Sequence, residues 1–199
     1  SADVGQIEHL VRCFSGSDWG SLSGTASVES TLDAPKLLST TEAQQQAEMF
    51  ARYRELAERP GDATAGKALF EKNCLVCHQQ GGTGGQIGPA LDGLGLTGTE
   101  AILRNMLTPS AAMEGGYRNY RVLTYSGRIV QGLLVSQDES SVIIRQLNTA
   151  DQRIEKDDIQ RAGFTTISIM PEGLLNELSP QQVSDLFAHL HSLKPADSQ

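Results

Sequence analysis

Basic charge, long apolar runs and aromatic side chains are all scarce in this sequence. Lys and Arg total 16 against 24 Asp and Glu, a net charge of −8. That balance argues against nucleic acid or an anionic membrane as partner, because both demand a basic face. No run approaches the ~20 apolar residues of a membrane span. Ser1 to Gln6 has neither the basic nor the apolar region of a secretory signal. Export would therefore imply a signal already removed, or a piece excised from a longer chain. With only 5 Phe, 4 Tyr and 1 Trp, aromatic side chains cannot supply much of an interior. A large bound apolar group could supply it instead.

What is present is ordinary for a soluble globular protein: 39 % apolar and 20 % charged residues in a chain of 199. The length suits one domain, or a domain with an attachment. The cysteine count of 3 is odd. Cys74 and Cys77 sit close together, and Cys13 is left over. Cys13 lies among Ile7, Leu10, Val11 and Phe14, a helical spacing over residues 4–14 that makes it a small thiol beside an apolar face. An intermolecular disulfide is the less favoured reading. His9 on the same stretch reads as solvent-exposed.

Residues 15–40 are rich in Ser, Gly and Thr and read as a linker. Thr41 with Gln44 resembles a capping box and opens a helix to about Glu58, stopped by Pro60 and Gly61. A short helix is expected over Ala65 to Cys74, then a glycine-rich stretch over 81–98. Thr97 with Glu100 resembles another capping box, for a helix that carries Ile102, Leu103, Met106 and Leu107 and ends at Pro109. Residues 117–156 change character. Tyr120, Val122 and Thr124, then Ile129, Gln131, Leu133 and Val135, alternate at period two about the turn Ser126-Gly127. With strands expected at Val142 to Leu147 and Gln152 to Lys156, this predicts a small antiparallel meander. Ser179, Pro180 and Gln182 cap a last helix with the stripe Val183, Leu186, Phe187, Leu190 and Leu193.

Residues 74–78 read Cys-Leu-Val-Cys-His. Two thiols three apart on a helical turn can each add to one vinyl group of a haem, and the adjacent histidine then lies under the iron. The rival readings are weaker. A zinc site would want a second ligand pair at matching spacing. A thioredoxin-like pair would follow a strand in a βαβ unit, and the pattern here is helical. Two buried cysteines beside a surface histidine would leave the flanking pattern a coincidence.

Those flanks are Gly66 and Phe70, four apart on the helix before the motif, and Gly88-Pro89-Ala90-Leu91 after it. Here the chain resembles the class I cytochromes c. That resemblance implies that the carbonyl of Pro89 accepts the proton of the other ring nitrogen of His78, fixing its tautomer; without it, Gly88-Pro89 is simply a turn. A closer resemblance is to the C-terminal haem-binding domains of large planctomycete and verrucomicrobial proteins. It rests on Gly66 to Phe70, the 74–78 motif, Gly88 to Leu91, Pro109 with Gly116-Tyr117, Ser168 to Leu174, and Leu178 to Leu193. It covers roughly residues 60–194. It implies a redox partner, such as a dehydrogenase domain of the same parent chain, and a periplasmic or otherwise extracytoplasmic location.

Four methionines compete as the second axial ligand: Met49, Met106, Met113 and Met170. Met49 and Met106 lie on apolar helical stripes. Met170 precedes Pro171 and the last helix, where class I cytochromes c carry their methionine, so the resemblance assigns Met170. Met113 is the runner-up. His189 and His191 read as packing or surface residues, although the family usually has tyrosine at the place of His189.

The expected fold is mostly α: a class I cytochrome c core over 61–199 with a small antiparallel β insertion at 116–157, behind a helical N-terminal extension and linker over 1–60. The insertion is expected to stand clear of the iron. The expected cofactor is one covalent haem c on Cys74 and Cys77, with His78 and Met170 as iron ligands. The expected function is electron transfer and not catalysis. The alternative is a haem enzyme or gas sensor with an open sixth position, which would need a distal hydrogen-bond donor such as Tyr117 or Arg118.

Overall fold

A computed structural model describes residues 38–111, 113 and 115–195. The helix expected over 4–14, with His9 and Cys13, and nearly all of the 15–40 linker lie outside the described residues. From Ser39 onward the chain forms one compact unit.

Four α-helices build the helical part of that unit. Helix α1 spans Thr40–Glu58, and its capping box is Ser39 with Glu42, two residues earlier than the Thr41 and Gln44 pair expected. Helix α2 spans Ala63–Asn73; the Asp62 carboxylate caps it by accepting from the backbone N–H groups of Thr64 and Ala65. Helix α3 spans Thr99–Leu107 with Gly98 at its N-cap and no side-chain cap, so Thr97 and Glu100 do not form the expected box. Helix α4 spans Pro180–Ser192 with the expected Ser179 and Gln182 box and Pro180 at its start.

These helices share a core that includes Leu56, Phe70, Leu103, Leu186 and Phe187. Burying each such side chain contributes roughly 1.5–3 kcal/mol. Helices α2 and α4 cross closely because Gly66 lacks a side chain: a Cβ there would lie 1.9 Å from the Asp185 carbonyl oxygen. Polar ties reinforce the crossing. The Ser184 hydroxyl donates to the Leu56 carbonyl at 2.8 Å, and Asp185 accepts from the Asp62 N–H at 2.8 Å.

Two two-residue strands, β1 Gln79–Gln80 and β2 Thr83–Gly84, make a small hairpin after the cysteine motif. Five longer strands follow: β3 Arg118–Thr124, β4 Ile129–Gln137, β5 Ser141–Arg145, β6 Gln152–Glu155 and β7 Ile159–Ser168. They form one antiparallel sheet in the order β6-β5-β4-β3-β7. The sheet overturns the mostly α expectation: the described chain is a mixture of α-helix and antiparallel β-sheet, with two cores. Strand β7 carries the sheet on to Ser168, beyond residue 156. It escapes a periodicity reading because Phe164 and Ile167 are exposed and its burial does not alternate.

The face assignment on β4 also differs from expectation. Val130 and Gly132 are buried and Leu134 packs on the sheet core, whereas Ile129 and Val135 are exposed. Val122 pairs with Val130 and Tyr120 with Gly132, so these positions share the core face with Ile144 and Ile154. Asn119, Arg121 and Gln131 therefore occupy the opposite face.

Candidate haem site

The site starts from the end of α2. The N–H of Cys74 donates to the Phe70 carbonyl, and those of Cys77 and His78 both donate to the Cys74 carbonyl, so the motif is one tight turn. Gly81 and Gly82, at φ 57° and 74°, then reverse the chain between β1 and β2. The following loop folds back over the turn: the N–H groups of Ile87 and Gly88 both donate to the Cys77 carbonyl. Gly88 is required there, since a Cβ would lie 2.6 Å from the His78 ring. The next carbonyl, that of Pro89, accepts from His78 Nδ1 at 2.8 Å. That bond fixes the imidazole so that Nε2 is the unprotonated nitrogen, the form able to bind a metal.

Both thiols and the imidazole open on a cavity of about 880 Å³, a size proper to a bound cofactor. Helix and loop residues give it an apolar lining that includes Ile87, Leu91, Leu94 and Ile102. The sheet supplies a second, more polar lining with Asn119, Arg121, Gln131 and Gln146. The segment 116–157, expected as an insertion clear of the iron, therefore helps to wall the cavity itself. Two hydrogen bonds join the halves: Arg145 Nη1 donates to Gln86 Oε1 at 3.3 Å, and the Ser168 N–H donates to Ser110 Oγ at 3.2 Å.

The thiols are held in the protonated form by their surroundings. Burial, with Cys77 nearby as the lesser cause, pushes the Cys74 thiol up to about 12, and burial raises Cys77 too. A redox-active pair needs the opposite shift. Among the described residues no group of three or more His, Cys, Asp and Glu gathers to hold a metal ion. A pair of thiols, an adjacent fixed imidazole and a large cavity instead suit a covalently attached haem.

Residues 63–128 match the family model for cytochrome c. Covalent haem c is the cofactor of this cytochrome c domain, with its iron. The match supports the class I resemblance and runs from α2 to the turn after β3; it does not reach Met170. No curated protein matches the chain.

Within this cytochrome c domain and the segment after it, three of the four methionines, Met106, Met113 and Met170, line the cavity. Met49 does not; it borders a separate shallow depression with Tyr53 and Asn176. Of the two suggested distal donors, Tyr117 lines the cavity, and the Arg118 guanidinium instead sits over the Phe164 ring at 4.9 Å. His189 is buried with its ring 5.0 Å from that of Phe70, which makes it a packing residue, and His191 lies 3.3 Å from Thr99 Oγ1. Sequence reasoning missed Asn119, Arg121 and Gln131. The signal for Asn119 and Arg121 was the polar face of the expected β3 strand, which a meander normally turns to water; Gln131 stood on the expected apolar stripe of β4 and gave no signal.

Proposed function

We propose that this chain is an electron-transfer module in which His78 and Met170 are the two axial ligands of the haem iron. The observation that carries the reading is the 2.8 Å bond from His78 Nδ1 to the Pro89 carbonyl, which leaves Nε2 as the one ligand nitrogen beside two attachment thiols. Support for Met170 comes from its place in the cavity lining and from its anchored loop: its N–H donates to Ser168 Oγ at 3.1 Å. The haem, when bound, supplies the one-electron couple, and the residues hold it in place. His78 is oriented by Pro89, the thioethers of Cys74 and Cys77 prevent loss, and the apolar lining excludes water. A neutral thioether ligand favours ferrous iron and raises the potential.

The wider resemblance over residues 60–194 to planctomycete and verrucomicrobial haem-binding domains supports a dehydrogenase as electron donor and an extracytoplasmic setting. Met170→Ala should abolish the far-red sulfur-to-iron band of the oxidised protein and lower its potential. Met113→Ala and Met106→Ala should leave that band in place. If the band survives Met170→Ala and disappears with Met113→Ala, the ligand is Met113. The presence of Tyr117 in the cavity favours a second reading, a gas-binding site with an open sixth position. Carbon monoxide binding separates the two.

A further inference from the structure

A haem carries two propionate carboxylates on the edge away from its two vinyl groups. With the vinyl edge tied to Cys74 and Cys77, those anions need partners elsewhere in the same cavity. The cavity lining contains one permanently charged side chain among the described residues, Arg121. The Arg121 guanidinium has no hydrogen bond or ion pair with any described residue, although the chain as a whole is strongly acidic. Two residues earlier on the same strand face, Asn119 is only 8 % exposed, and its side-chain amide makes no hydrogen bond with any described residue. Gln131 stands directly across from Arg121 in the β3–β4 ladder and also lines the cavity. Cross-strand neighbours lie about 4.5–5.5 Å apart at Cβ, so the three side chains form one polar patch. The other cavity amides are engaged or lie elsewhere: Asn73 donates to the Leu69 carbonyl at 2.9 Å, Gln146 donates to the Gln131 carbonyl and accepts from Gln152, and Asn105 is on α3, not on the strand face of Arg121.

We propose that Arg121, Asn119 and Gln131, on one face of the sheet, form the binding site for the haem propionates. Arg121 offers the charge-assisted partner for a carboxylate. Asn119 offers its side-chain NH2 as a donor to the carboxylate, and Gln131 offers a second amide. The sheet is thereby the part of the protein that sets haem orientation at the edge the thioethers do not hold. This inference rests on haem occupying the cavity, not on Met170 as ligand.

The test is made on the mature haem-loaded protein. Arg121→Gln should lower the reduction potential, because removing a cation favours the ferric state, and should shift the propionate bending bands in the resonance Raman spectrum. Asn119→Leu should shift the same bands, and Arg121→Lys should restore most of the potential. Arg128→Gln, at the exposed β3–β4 turn, should change neither readout. Unchanged Raman bands in both Arg121→Gln and Asn119→Leu overturn the proposal, as does an equal fall in potential with Arg128→Gln. If Arg121→Gln yields no mature protein, Gln131→Glu decides: a new carboxylate facing Arg121 must lower the potential and move the bands, and no change refutes the site. Carbon monoxide binding by the wild type would remove the His/Met reading, whereas the Raman bands and the potential comparison with Arg128→Gln decide the propionate site.

Discussion

The helical half and the sheet half wall the same cavity by different means. The helical half is a core of interlocked helices, closed by a glycine crossing and several side-chain-to-backbone hydrogen bonds, and it carries the covalent attachment points. The sheet half has its own smaller core on one face and presents its polar face to the cavity. Attachment and enclosure are therefore separate tasks in this protein. The first needs rare residues at fixed spacing; the second needs only the right face of ordinary strands.

Removing the sheet should have the largest effect. Replacement of residues 117–156 by a short Gly-Ser linker takes away Asn119, Arg121, Gln131 and Gln146 from the lining. The expected result is loss of low-spin haem or failure of maturation, read by absorption; a retained wild-type spectrum would show the sheet to be a separate appendage. Gly66→Val attacks the helical half alone. The added side chain collides with the Asp185 carbonyl, so the cost should reach ~3 kcal/mol or more in denaturant unfolding.

The sheet-core counterpart is Ile144→Ala, at a fully buried position. It should cost about 2–5 kcal/mol yet leave the haem spectrum unchanged, because Ile144 lies on the face away from the cavity. A spectral change would mean the two faces are mechanically coupled.

The smallest effects distinguish the halves by acid response. Burial first, and then Lys67, lower the pKa of His189 below its ordinary 6.5, against a smaller opposing effect of Glu71. The unfolded chain therefore binds the proton more readily. The stability held by the neutral His189 is full above about pH 6.5 and falls as pH drops below it. His189→Phe, which keeps the stacking on Phe70 and removes an Nε2 with no partner among the described residues, should flatten that slope. In the sheet, hydrogen bonds from the backbone and hydroxyl of Ser140 and the backbone of Ser141 hold Asp138 down to about 2. Its contribution is complete above the ordinary 3.8 and is lost as pH falls through about 2. Asp138→Asn should remove this second, more acidic step from a pH titration of unfolding.

Legibility in the sequence followed the same division. Cys74, Cys77 and His78 announce their chemistry by type and spacing, and the Pro89 carbonyl lies against His78 Nδ1 as the class I resemblance implies. Ser179, Pro180 and Gln182 fixed the start of α4 because every capping signal agreed there. At α1, Thr41 with Gln44 offered the same pattern as Ser39 with Glu42, and only the local backbone chose between them. The sheet was visible as period-two runs, but not its extent or its inward face. Strand β7 is too irregular for alternation, and β4 has apolar residues on both faces. Arg121 and Asn119 carry no motif; only the three-dimensional pairing of β3 with β4 gives them a shared face with Gln131.

An electron carrier of the proposed kind has its iron closed on both sides by protein ligands, so nothing else can bind there. Exposure of the reduced wild-type protein to carbon monoxide tests this directly. The absorption spectrum should stay unchanged, with binding appearing only in Met170→Ala. A rapid carbon monoxide adduct of the wild type would contradict the His78 and Met170 ligation.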